Sequence, residues 1–257
     1  MANHFGLVEA AFGLLGGFLL ATLAVSAYAA STPHGQQASQ YGEEVVSLVG
    51  LWVGFVGAAV IATRLAAHLE LAGARRAGTP GRAERHGTGS VVRDYGLVLR
   101  PWPDIPLGIV AGVASQYLLV PVAEAPLLPF VHHLYSRLGH PAQNLTGHAF
   151  GTGLIVISVL VCLGSPLIEE LFFRGLLMRA LLGSLEDLGQ RLAPAVSITL
   201  TALVFALAHF EALQFLGLAA FGAVLGYLAW RTGRLGPSII AHMAFNTVTI
   251  VAIVASR

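Results

Sequence analysis

Three ionisable residues, Glu169, Glu170 and Arg174, sit inside one of the most apolar stretches of the chain, GSPLIEELFFRG at positions 164–175. A charged side chain at the centre of a membrane helix costs roughly 2.5 to 3.5 kcal/mol, so three unpaired ones would cost on the order of 8 to 10 kcal/mol. On a helix Glu170 and Arg174 are neighbours at i,i+4, and arginine can hold a carboxylate through two hydrogen bonds. Glu169 is then rotated by about 100° and faces something else. Two adjacent carboxylates do not both ionise easily in a low dielectric, so locking Glu170 to Arg174 leaves Glu169 free to take up a proton as a general base. The plainer alternative is a buried ion-pair network that only fixes helix packing, or three charges lying at the membrane interface.

Later apolar stretches supply partners. In TALVFALAHFEA, Phe205 and His209 are four residues apart, and in SIIAHMAFNTV so are His242 and Asn246. Each pair therefore shares one helix face. Taken singly, a membrane histidine or asparagine serves helix packing through interhelical hydrogen bonds worth about 0.6 to 2 kcal/mol, and Phe205 is a core side chain. His132, His133, His140 and His148 fall in or near one polar connection, where a solvated role outweighs a surface metal site. Asn144-Leu-Thr146 has the composition of a glycosylation sequon, a weak signal. The one cysteine, Cys162, lies in an apolar run and implies neither a disulfide nor a cysteine metal cluster. No HExxH or GxSxG motif is placed in such a run, and lysine is absent, which argues against zincin-like and serine-hydrolase chemistry.

The elements that must position these residues are membrane helices. Of 257 residues, 56% are hydrophobic and 11% charged, with mean hydropathy +0.75, values of a polytopic membrane protein. A bilayer core needs about 20 apolar residues per helix. The candidates are 6–29, 45–62, 105–122, 151 to about 182, 194–210, 215–230 and 236–255, an all-α bundle of seven spans, or eight if 125–135 also dips into the membrane. The first run ends in AYAAS, like a signal-peptide cleavage site, but it lacks a basic leader and is span-length.

Arg64, Arg75, Arg76, Arg82, Arg85, Arg93 and Arg100 lie at or within the connection after the second span, so this connection, at about 70–104, is expected to be a flexible cytoplasmic loop touching anionic headgroups. The N-terminus then faces the cytoplasm. A net charge of +1 without aromatic interleaving excludes a nucleic-acid partner.

Read together and in order, Glu169-Glu-x-x-x-Arg174, Phe205-x-x-x-His209 and His242-x-x-x-Asn246, with the extended PLIEELFFRG, resemble the CPBP family of CAAX proteases and bacteriocin-processing enzymes, also called Abi, to which the type II CAAX prenyl endopeptidases belong. The resemblance spans about 151–255 and shows no departure at the motif positions. It implies a catalytic core at 151–257 behind an N-terminal scaffold at 1–150, and an intramembrane endopeptidase of a multi-pass protein in the plasma membrane. Its substrate would be a membrane-associated, in some relatives prenylated, peptide or protein. Glu169 would activate water with help from His209, Glu170 and Arg174 would shape the site, and His242 and Asn246 would stabilise the oxyanion. The resemblance leaves the cofactor open: none is required, or Glu169, His209 and His242 hold a catalytic divalent metal such as zinc. The competing readings are a non-proteolytic scaffold or immunity protein and a proton- or ion-coupled transporter, the latter weakened by the absence of visible repeats.

Overall fold

The computed structural model describes residues 5–33, 36–76, 88–134, 137, 138, 143 and 151–255. Among them every regular element is helical. In chain order these are α1 (Phe5–Ser31), α2 (Gln40–Arg76), the single turn α3 (Val91–Asp94), α4 (Pro101–Leu127), α5 (Thr152–Ser184), α6 (Gly189–Ala208), α7 (Phe215–Thr232) and α8 (Gly236–Ala255). All but α3 belong to segments long and apolar enough to cross a membrane, so the seven-span expectation holds.

Three boundary expectations need correction. The apolar segment ending in Leu127 closes on a 3-10 turn, Ala125–Leu127, and the chain continues in turns to His133, so no eighth span forms among the described residues. Pro126 sits in that turn, where it ends a helix rather than starting one. The arginine-rich connection is shorter than expected. The helix of α2 continues through Arg75 and Arg76, α3 contains Arg93, and Arg100 caps α4. Arg82 and Arg85 lie outside the described residues, as do His140, His148 and Asn144-Leu-Thr146. Finally, α6 stops at Ala208, so Phe210, expected within the fifth span, lies beyond it with φ of +54°.

Hydrophobic side chains gain little by leaving lipid for one another, so these helices associate where small residues let backbones approach. Gly17 on α1 and Gly50 and Gly54 on α2 form such a seam. A Cβ at Gly50 would lie 2.8 Å from the Ala21 backbone nitrogen, and one at Gly54 would overlap Gly17. Gly108 and Gly112 on α4 do the same against α8, where a Cβ at Gly112 would sit 3.0 Å from the Phe245 nitrogen. Outward-facing side chains such as Phe12, Val110 and Val122 stay exposed, as a lipid-facing surface requires.

The core is an aromatic file leading to the polar residues. Phe55 of α2 stacks on Phe172 at 4.0 Å, Phe172 meets Phe173 edge-on, and Phe173 meets Phe205 at 5.3 Å. At one end of the bundle the α2–α4 connection is clasped to the α7–α8 turn. The Tyr95 hydroxyl donates to Ala59 O, and Arg179 donates to Asp94 O and Gly233 O. Arg234 Nε donates to Asp104 Oδ2 at 3.0 Å. Burial, then the neighbouring Asp94 and Glu9, push the Tyr95 phenol above its ordinary range, so it stays a neutral donor.

Candidate active site

The helix carrying the acidic motif is not uniform. Within α5 a π-helical turn, Leu160–Gly164, precedes the α-helical Ser165–Glu170, and a second π-helical stretch, Leu171–Leu177, comes after it. Each π turn holds an extra residue and rotates the next segment of chain about the helix axis, a geometry common at functional sites. Pro166 supplies a local cause. Its ring removes a backbone donor from the ladder at the turn where α and π registers meet. The proline thus marks a change of helical register.

Glu170 and Arg174 are both fully buried, and Arg174 Nη1 donates to Glu170 Oε1 at 2.8 Å. Arg174 Nη2 donates to the Gly222 carbonyl of α7 at 3.0 Å, and its guanidinium lies 4.5 Å from the centroid of the Phe205 ring. The charge is therefore paired, hydrogen-bonded and faced by a π-cloud, which is what a buried arginine needs. The same Glu170 Oε1 accepts from His242 Nδ1 at 3.1 Å. Phe205 and Phe221 grip the His242 ring edge-to-face from either side, at 5.7 and 5.6 Å.

Glu169 points the other way. Its Oε2 is buried and has no hydrogen-bond partner, and it stands 4.0 Å from both His209 Nε2 and His242 Nε2. The outer partners fix the tautomers. His209 Nδ1 lies 2.7 Å from Phe205 O, a pure acceptor, so Nδ1 carries the hydrogen. His242 Nδ1 likewise donates to the Glu170 carboxylate. In the neutral rings both Nε2 lone pairs therefore face Glu169 Oε2, and three acceptors converge with no donor among them.

A water 2.8 Å from each neighbour fits between atoms 4.0 Å apart, donating to two of them, with distances of about 2.8 Å being ordinary for such bonds. The fit of a metal differs. Two imidazole nitrogens and a carboxylate are the donor chemistry of a catalytic zinc, but bonds of about 2.0 Å in a tetrahedral set need ligands about 3.3 Å apart. Among the described residues no three His, Cys, Asp or Glu are close enough to hold a metal. As spaced, these side chains suit a water and do not close a metal set.

Asn246, one turn beyond His242, is not seen against Glu169. Its Nδ2 donates to the carbonyl of Val161 at 2.8 Å. Five of the six expected residues thus form one connected cluster, and the sixth bonds to the helix that carries it. Sequence reading missed Phe221, the Gly222 carbonyl and Val161. The first two lie on α7, which has no charged residue before Arg231 in its last turn, and a carbonyl leaves no trace in a sequence. His209 lies just past the last residue of α6. Phe210 after it meets Phe18, midway along α1, edge-on at 5.1 Å, which puts the α6–α7 turn inside the depth of the bundle. His132 and His133 lie in the exposed turns after α4, apart from this cluster.

Fold and cluster together define a multi-pass membrane protein with a carboxylate–imidazole centre enclosed by its helices. Residues 151–248 match the family model described as Type II CAAX prenyl endopeptidase Rce1-like. That stretch of the chain is similar to the Rce1-like CAAX proteases, in agreement with the motif resemblance. The match contains all seven motif residues and leaves the first 150 residues outside it. No curated protein and no solved structure matches the chain.

Proposed function

We propose that this protein is an intramembrane endopeptidase that hydrolyses a peptide bond in a membrane-associated substrate, prenylated CAAX-type peptides being the first class to test. The observation that carries this reading is the buried, unpartnered Glu169 Oε2 facing two imidazole nitrogens at 4.0 Å each. Water held there gives one hydrogen to Glu169 Oε2 and the other to an Nε2, leaving an oxygen lone pair directed at a substrate carbonyl.

Attack forms the new C–O bond and a tetrahedral oxyanion, while the water's proton passes to Glu169. A proton taken up by His242 from solvent is stabilised by the Glu170 carboxylate on the far nitrogen, and the Nε2–H donates a hydrogen bond to the oxyanion without leaving the ring. Collapse breaks the C–N bond as the proton on Glu169 moves to the leaving amine, and His209 steadies that transfer. Arg174 holds Glu170 in place through its Nη1 hydrogen bond. Enclosure among helices strengthens each of these interactions by excluding bulk water.

The remaining parts of the proposal rest on the sequence pattern. Residues 1–150 serve as a membrane scaffold for the domain at 151–257, and the arginine-rich end of the bundle faces the cytoplasm of a plasma-membrane protein.

The test is to incubate purified protein in lipid nanodiscs with a farnesylated C-terminal peptide and with a set of unprenylated membrane peptides. Wild type should cleave at least one of them. Glu169→Ala and His209→Ala should each lower kcat by about 100-fold or more, the contribution of a positioned acid–base group. Cleavage indifferent to both substitutions would sink the mechanism.

A further inference from the structure

We infer that Asn246 is a positioning residue that completes the π turn carrying Glu169, acting through the Val161 carbonyl, and that Pro166 creates the need for it. The inference rests on the peptidase reading for its effect on rate but not for its geometry.

Within Leu160–Gly164 the backbone bonds run five residues back, and the N–H of Ser165 accordingly donates to Leu160 O. In an α-helix that N–H would have served Val161 O, four residues back. The next donor in the π register, at position 166, would also serve Val161 O, but residue 166 is proline and has no N–H. Both backbone donors within reach of the Val161 carbonyl are thus diverted or missing. At membrane depth no bulk water can replace them.

The Asn246 side chain does. Its Nδ2 donates to Val161 O at 2.8 Å from a residue 85 positions away, on the helix packed against this turn. The amide orientation is set by chemistry, since a carbonyl accepts and only the NH2 end of the side chain donates.

The consequence falls on Glu169. Relaxing the turn into α register would shift the next segment by one residue, a rotation of about 100° about the helix axis. Glu169 and Glu170 both lie in that segment, so the rotation would swing Glu169 away from His209 and His242. Asn246 and His242 are one turn apart on α8. One helix face therefore holds the ring that faces Glu169 and the amide that keeps Glu169 turned toward it.

This assignment differs from an oxyanion role for Asn246, and Pro166→Ala separates the two because it returns an N–H to Val161 O. In the Pro166 background, Asn246→Ala should lower kcat by about 100-fold or more with KM little changed, since a misplacement of only about 1 Å already costs that much. In the Pro166→Ala background the same truncation should cost no more than about threefold, a strong coupling between the two sites. An equal loss in both backgrounds would assign Asn246 to the oxyanion and overturn the inference.

The same four variants are also melted in detergent micelles, with no substrate. Pro166→Ala should offset most of the melting-temperature loss caused by Asn246→Ala, and additive shifts would overturn the inference even if Pro166→Ala proved inactive. A wild type that melts with this coupling yet cleaves nothing would discard the peptidase reading alone.

Discussion

At the scale of single residues, adjacent carboxylates take opposite parts because helical geometry points them apart. Glu170 is spent on charge, since its Oε1 is shared by Arg174 and His242. Glu169 has no such partner and is left to water. The two should therefore fail differently when changed. Glu169→Gln should abolish cleavage with a melting temperature within about a degree of wild type, because no existing bond is lost. Glu170→Ala should instead unfold the protein, since removing one member of a buried pair leaves the other charge uncompensated at a cost of about 3 to 5 kcal/mol. Changing the partner as well, Glu170→Ala with Arg174→Met, should recover most of that melting loss without recovering activity. Thermal unfolding in detergent, tracked beside cleavage, checks all three. A Glu169→Gln protein that melts far below wild type would mean that Glu169 is structural after all.

At the scale of elements, the site depends on how closely α8 approaches α4 and α5. Gly112 faces the backbone of α8 between Ala241 and Phe245, on either side of His242. Gly112→Val should force α8 outward, cutting cleavage by about 10-fold or more, since small displacements of reacting groups are costly. Gly54→Val, on the α1–α2 seam, should lower the melting temperature by a similar amount while sparing kcat in the fraction that stays folded. If both glycines affected kcat alike, the two seams would not be separable and α8 would hold no special place. The i,i+4 pairs on these helices were legible because helical periodicity is local. The π turns of α5 were not, because a π register differs from an α register by one backbone bond. At the first of those turns Pro166 is a local cause, and the Asn246 amide on the Val161 carbonyl is a tertiary contact that no local pattern marks.

At the scale of the whole molecule, the spacing of the site sets the expectation for metal dependence. Ligand atoms 4.0 Å apart suit water, so prolonged dialysis against a chelator should leave cleavage within about twofold of the untreated enzyme. Loss of activity restored by a stoichiometric divalent ion would show that the three side chains contract onto a metal when one is present. Orientation is a property of the entire chain as well. In a Cys162→Ala background, a cysteine at Thr88 should react only with reagent on the cytoplasmic face, and one at Gln36 only from the opposite face. Membrane residence, seven candidate spans and the one-face pairing of Glu170 with Arg174, Phe205 with His209 and His242 with Asn246 were determined by the sequence alone, because hydropathy and a 3.6-residue period act over a few turns, while the structure decided against an eighth span among the described residues. The tertiary structure decided which carboxylate meets which histidine, which ring nitrogen carries the hydrogen, and where the Asn246 amide is used. Those outcomes join His242 to Glu170 across 72 residues and Asn246 to Val161 across 85, distances along the chain at which only helix packing, and no local periodicity, sets what touches what.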